Sequence, residues 1–264
     1  MIMKQYQNFM FDLYGTLVDI RTDEEQPSFW RACSRYLGMQ GVFYEPGVLR
    51  QKYESSVKTL EAQKRLELPQ GAEPEIDIGE VFKLLYRDAG AEADERTVAD
   101  FAHTFRLLSL KRLKLFPGVL NLLDAIHENG KQVYLLSNAQ TLFTRPELVL
   151  LGLDRKLDGS ILSSEAGRKK PDPGFYKLMM DMYELNPAET VMVGNDDRCD
   201  CWGAHEAGLD SVYVSTWQSP KRTAPLPENC VSINKIADLT DMIEGAEKNG
   251  FHEPTDPAAE CRRL

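Results

Sequence analysis

The 264-residue sequence has no apolar run long enough to cross a membrane. Its first residues, Met1 to Asn8, are broken by polar side chains at once and lack the apolar stretch of a secretory signal. Cationic excess is also missing: 31 Lys and Arg stand against 41 Asp and Glu, a net charge of −10. Non-specific nucleic-acid binding and attachment to anionic lipid both need a basic surface, so neither partner is expected. An anionic small molecule is not excluded, because a few local cations or a bound metal can dominate a pocket. Cysteine is sparse. The five, Cys33, Cys199, Cys201, Cys230 and Cys261, are odd in number and irregularly spaced, unlike a disulfide framework or a zinc knuckle. Reduced thiols and a cytoplasmic location are expected. The four histidines, His103, His127, His205 and His252, show no ligand spacing. No internal repeat is visible.

What is present is an ordinary globular composition, 42% hydrophobic and 27% charged. It is organised by short, continuous apolar runs. Phe9-Met10-Phe11, Val133 to Leu136, Thr190 to Val193 and Ser211 to Val214 read as parallel strands covered on both faces, with Cys230 to Ile233 as a fifth. Helical patterns lie between them. Leu120, Leu122, Leu123, Ala125 and Ile126 form an apolar face that stops at Gly130. Asn186-Pro187-Ala188-Glu189 predicts a helix start, with Asn as cap and Pro at the first helical position. Strands alternating with helices predict an α/β fold with a Rossmann-like, doubly wound parallel sheet.

Residues 20–112 differ. Phe82, Leu85 and Tyr86, and then Val98, Phe101, Ala102, Phe105 and Leu108, recur at helical spacing. Leu49 to Leu68 is a long, charged helical stretch, and Pro69 to Asp77 is a loop. No strand is predicted there. The segment reads as an all-helical insertion between the first and second core strands. The core is then 1–19 with 113–247, followed by a loose polar tail at 248–264.

Polar clusters follow the apolar runs. Open α/β sheets bind ligands beyond the carboxyl ends of their strands, so these clusters are the candidate site. The first is Asp12, with Gly15 and Thr16 close behind. The second is Ser137-Asn138, a hydroxyl and an amide able to bond an oxyanion. The third is Lys169-Lys170-Pro171-Asp172-Pro173, where proline steers the preceding lysine away from helix. The fourth is Gly194-Asn195-Asp196-Asp197-Arg198-Cys199-Asp200, a loop of hard oxygen donors of the kind that suits Mg²⁺. Each cluster taken singly is also an ordinary turn; four in sequence are not.

Together they resemble the haloacid dehalogenase superfamily, over Phe9 to about Ala204. Asp12-Leu13-Tyr14-Gly15-Thr16 is similar to its first motif, Asp-x-Asp-Gly-Thr, and Ser137, Lys170 and Gly194 to Asp200 match the other three. Phe116-Pro117-Gly118-Val119 looks like the re-entry into the core. The resemblance implies that the helical block is a cap domain inserted after the first strand. It implies a hydrolase in which Asp12 attacks a phosphate ester and passes through an aspartyl-phosphate. Mg²⁺ would be held by Asp12, the Tyr14 carbonyl and either Asn195 or Asp196. Thr16, Ser137 and the Asn138 backbone N–H would hold phosphoryl oxygens, Lys170 would neutralise charge, and Asp200 would orient Lys170 or a metal-bound water.

Two positions depart from the phosphatase pattern. Tyr14 replaces the aspartate that protonates the leaving group, and a phenol with a pKa near about 10 is a poor base at neutral pH. The same Asp-x-Tyr-Gly-Thr pattern marks the superfamily's L-2-haloacid dehalogenases, which attack carbon without a metal. Their cap arginine has candidates in Arg21, Arg31 and Arg35. Asn195 stands where an aspartate is usual. The expectation is an Mg²⁺-dependent phosphatase of a small phosphorylated metabolite. The alternatives are a dehalogenase-like hydrolase and a catalytically weakened binding protein. Trp30, Phe43 and Tyr53 are candidates to line the site from the cap.

Overall fold

The computed structural model describes residues 3–222 and 224–245. The tail expected at 248–264, with His252 and Cys261, lies outside the described residues.

Strand β1 (Asn8–Phe11) is buried throughout and lies in parallel register with β4 (Gln132–Ser137) on one side and β6 (Thr190–Gly194) on the other. β5 (Gly159–Leu162) extends the sheet beyond β4. β7 (Asp210–Val214) and β8 (Cys230–Ile233) extend it beyond β6. The order is β5-β4-β1-β6-β7-β8 and every pairing is parallel. The chain therefore winds outward in both directions from β1, and the crevice between β4 and β6 opens where β1 ends.

The strands are apolar on both faces because both are covered. Phe9, Phe11, Val133, Leu135, Val191 and Val193 pack with Leu122, Leu123 and Ile126 of α5 (Val119–Glu128) and Leu239 and Ile243 of α10 (Asp238–Glu244). Met10, Tyr134, Leu136 and Met192 point the other way, toward Phe175, Tyr176 and Met179 of α8 (Pro173–Met182). This alternation about a doubly covered sheet is what removes the period-two pattern from the sequence.

Between β1 and β4 the chain builds α1 (Pro27–Met39), α2 (Pro46–Glu67), α3 (Ile78–Asp88) and α4 (Glu95–Ser109). Asp77 and Asp94 cap α3 and α4 by accepting from Gly79 N–H and Thr97 N–H. Phe29, Trp30, Phe82, Phe101 and Phe105 form a shared aromatic core for these helices. Phe143 of α6 (Thr141–Leu150) is inserted into the same cluster, so α6 belongs to both halves of the packing.

The structure differs from sequence expectation in four places. The block is flanked by an antiparallel ribbon, β2 (Val18–Thr22) paired with β3 (Leu110–Leu115), which runs into the stretch read as strand-free. β5 was not expected, since its Gly159-Ser160 half carries no apolar signal. Asn186 does cap, accepting from Ala188 N–H, but the turn is a single 3₁₀ turn that passes straight into β6. Trp30 and Tyr53 are packed in the helical core and Phe43 is 79% exposed, so none of the three lines the site.

Candidate active site

Asp12 is set at the sheet's crevice by its own backbone, whose N–H donates to Val193 O at 2.9 Å. Gly15 then turns the chain at φ +90°, a conformation that favours glycine. A Cβ on Gly15 would stand 2.5 Å from Asn195 Nδ2, so glycine also lets the loops after β1 and β6 close on each other. Thr16 Oγ1 sits between them, 3.3 Å from Asp12 Oδ2 and 3.1 Å from Asn195 Oδ1. Ser137, the last residue of β4, donates to Asp12 Oδ1 at 3.2 Å.

Lys170 reaches Asp12 from the segment after β5. Asn138 holds that segment: Lys170 N–H donates to Asn138 Oδ1 at 2.8 Å, and Asn138 Nδ2 donates to Lys170 O at 3.0 Å. Lys170 Nζ is 2.8 Å from Asp12 Oδ1 and 2.7 Å from Asp200 Oδ1. Asp200 is itself fixed, because Oδ2 accepts from Asp196 N–H at 2.9 Å. Its carboxylate lies directly over Gly194, where a Cβ would meet the carboxyl carbon at 2.2 Å.

This chain of charges is almost dry, with Asp12, Lys170 and Asp200 at 8%, 2% and 1% exposure. Burial works against the Lys170 charge, but the carboxylates of Asp12 and Asp200 outweigh it and hold the ammonium above the usual lysine range. Burial pushes the Asp200 carboxyl up to about 7, against the pull of Lys170. The arrangement presents a carboxylate oriented by a fixed cation and two hydroxyls, in a cavity of about 180 Å³. Chemically that suits attack by Asp12 on an electrophile carrying anionic oxygens.

The model of the haloacid dehalogenase-like hydrolases matches residues 6–208, which include all of these groups. The chain belongs to this family. A curated relative, the ribulose-1,5-bisphosphate 5-phosphatase of Halopiger xanaduensis, is 28% identical over 140 residues. That match covers 51% of this chain and 59% of the enzyme, so the chain spans less than two thirds of that relative's length. Among solved structures, the 2-haloacid dehalogenase of Pseudomonas syringae pv. Tomato superposes with TM-score 0.63 at 18% identity, covering 91% of this chain and 99% of that one. The HAD phosphatase of Thermococcus onnurineus gives 0.60 at 19%, with the same coverages. At these identities the two structures establish the shared fold.

The remaining family positions divide by orientation. Asn195 faces Asp12 through Thr16, as above. Asp196 lies on the cavity wall, but its Oδ1 accepts from Arg198 N–H at 2.9 Å and Cys199 N–H at 2.8 Å, capping the π-helical turn Asp197–Trp202. Cys199 also lines the cavity; burial, with Asp196 and Asp200 nearby, pushes its thiol up to about 12, so it is no nucleophile at neutral pH. Among the described residues no arginine lines the cavity, and Arg21, Arg31 and Arg35 are exposed elsewhere.

Sequence reasoning missed Gln218, Pro220 and the partners of Tyr14. Gln218 and Pro220 rim the cavity from the loop after β7, and Gln218 brackets Ile20 of β2 by bonding both its N–H and its C=O. Their place just past a strand end was a usable signal. Tyr14 lines the cavity, but its hydroxyl runs to Glu147 and Thr144 of α6, and Arg106 of α4 backs Glu147. Burial and the Glu147 charge raise the Tyr14 phenol well above its usual range. No pattern links residues so distant in sequence.

Proposed function

We propose that this haloacid dehalogenase-like hydrolase is a phosphatase of a small phosphorylated metabolite, with Asp12 as nucleophile. The observation that carries the reading is Lys170 fixed between Asp12 and Asp200, with the Ser137 and Thr16 hydroxyls beside the Asp12 carboxylate. In this reading an Asp12 oxygen bonds to phosphorus as the ester oxygen departs, and water then opens the aspartyl-phosphate. Lys170, Ser137 and Thr16 hold the phosphoryl oxygens as charge builds on them. Asn138 positions Lys170 through its backbone, and Asp200 fixes the ammonium. The helical block between β2 and β3 acts as a cap. The free thiols of Cys33, Cys199, Cys201 and Cys230 suit a cytoplasmic enzyme.

The donor chemistry fits Mg²⁺, which takes one or two carboxylates and keeps several waters. Asp12, the Tyr14 carbonyl and Asn195 would hold it, and it would supply charge neutralisation at the phosphoryl group. Among the described residues no three His, Cys, Asp or Glu side chains group as a metal site. Affinity would therefore lean on the substrate's own oxygens. Asp196 is the weaker candidate because one of its oxygens caps a turn.

Tyr14 cannot replace the missing acid, since its proton is committed to Glu147. Esters with acidic leaving groups should therefore be preferred. An aryl phosphate such as p-nitrophenyl phosphate is expected to exceed an alkyl phosphate by about 10²–10⁴-fold in kcat/KM, the usual worth of general acid catalysis. The test is a panel of esters assayed with Mg²⁺ and with EDTA, on the wild type and Asp12→Asn. Metal-dependent turnover lost in Asp12→Asn supports the reading; no turnover of any ester removes it. The committed phenol also favours a second reading, carbon attack with halide departure, which needs no proton on the leaving group. Halide release from 2-chloropropionate in EDTA would establish it.

A further inference from the structure

Four side chains meet between the helical block and the sheet that no motif pairs. Tyr14 lines the nucleophile's cavity two residues beyond Asp12. Its hydroxyl donates to Glu147 and lies 3.0 Å from Thr144 Oγ1. Beyond Glu147, Arg106 Nε stands 3.0 Å from Oε1, with the two side chains 16% and 7% exposed. The Arg106 guanidinium also covers Phe143 at 4.4 Å from the ring centroid, and that ring stacks on Phe105 of α4.

A buried ion pair is a weak means of stabilisation, because desolvation offsets its attraction. Here Arg106 Nε and Glu147 Oε1 touch without an aligned hydrogen bond. Apolar contact already joins α4 to α6 through Phe105 and Phe143. What the charges add is a fixed direction, and the group that receives it is the Tyr14 hydroxyl.

We propose that Arg106 and Glu147 are positioning residues that fix the Tyr14 ring as a wall of the nucleophile cavity and register the helical block on the catalytic loop. The phenol's one proton is held by Glu147, so the ring acts by shape. Substrate fit depends on this latch more than the chemical step does. The kinetic arm of the test rests on the phosphatase reading; the structural arm does not.

The full chain is compared with Tyr14→Phe, Glu147→Gln, their double variant, Arg106→Met and Arg106→Lys. Kinetics use p-nitrophenyl phosphate with Mg²⁺, and amide hydrogen exchange is followed without substrate. Each of Tyr14→Phe, Glu147→Gln and Arg106→Met is expected to raise KM by about 3–10-fold with kcat within about threefold. The double variant is expected to match the worse single, because the residues act as one unit. Arg106→Lys is expected to restore most of what Arg106→Met loses. Amides of α4 and α6 should exchange about tenfold faster in Tyr14→Phe and Glu147→Gln, with β1 and β4 unchanged.

Three results overturn the proposal. One is a fall in kcat of about 100-fold at constant KM in Tyr14→Phe, which would put the phenol in the chemistry. Another is additivity of the two single effects. The third is unaltered α4 exchange in Tyr14→Phe. If the wild type turns over no ester, the phosphatase reading falls alone and the exchange result still decides the latch.

Discussion

Lys170 stays charged at 2% exposure because it has a carboxylate on either side. Lys170→Met would leave Asp12 and Asp200 facing each other without a cation. Breaking a buried ionic set by removing one partner costs roughly 3–5 kcal/mol. Asp200 softens that loss, since burial already raises its carboxyl above the usual carboxylate range and favours taking up a proton once the lysine is gone. We expect the urea midpoint to fall and single-turnover rates on an aryl phosphate to drop by about 10²–10³-fold. Lost stability with intact turnover would place Lys170 outside the chemistry. At this scale the site was largely legible. Asp12, Ser137 and Asp200 come soon after apolar runs, and strand ends are where an open sheet collects its ligand groups, while Lys170 was marked by the Pro-Asp-Pro that follows it. The Asn138 side chain is clamped to the Lys170 backbone, which leaves its backbone N–H, the group expected on a phosphoryl oxygen, outside the clamp. That contact, like Tyr14 with Glu147, joins distant residues by tertiary packing and leaves no local trace in the chain.

Among elements, the π-helical turn Asp197–Trp202 decides how Asn195 and Asp196 are used. The turn begins at Asp196, whose carboxylate satisfies two N–H groups that would otherwise lack partners. Asn195, one residue earlier, is thereby turned toward Asp12. Asp196→Ala should lose a cap worth about 0.5–2 kcal/mol while leaving the Mg²⁺ concentration for half-activation nearly unchanged. Asn195→Ala should raise that concentration by about tenfold or more, with little change in thermal midpoint. A metal titration of ester hydrolysis, read beside a melting curve, separates the two, and the reverse pattern would assign the metal to Asp196. The elements that escaped sequence reading have a physical reason in common. β5 is an edge strand with one neighbour, and half of it is Gly159-Ser160. β2 and β3 form a two-stranded ribbon whose Arg21, Lys111 and Lys114 are exposed, so charge interrupts both. Strands covered on both faces announce themselves as apolar runs; strands covered on one do not.

For the molecule as a whole, the question is whether the helical block moves during turnover. Among the described residues, other fasteners join it to the sheet besides the Arg106–Glu147 pair and the Phe105–Phe143 stack. Residues 73–78 lie along the segment that carries Lys170: Glu75 N–H donates to Gly167 O and Lys169 N–H donates to Glu73 O. The Gln140 side chain bonds Ile76 O and Ile78 N–H, and Ser163 Oγ donates to Glu75 Oε2. Pro74 faces Arg168 as a non-hydrogen-bonded antiparallel pair, a geometry with Cα atoms about 4.5 Å apart that accepts a disulfide. In Pro74→Cys/Arg168→Cys the oxidised bridge would close a loop of roughly a hundred residues and add up to about 4 kcal/mol of stability. The rim of the cavity at Gln218 and Pro220 lies on the loop after β7, outside the helical block, so an ester entering there would need no opening of the block. The oxidised variant is therefore expected to keep kcat within about twofold of its reduced form while melting higher. Activity that vanishes on oxidation and returns with dithiothreitol would show instead that the block must lift for each turnover.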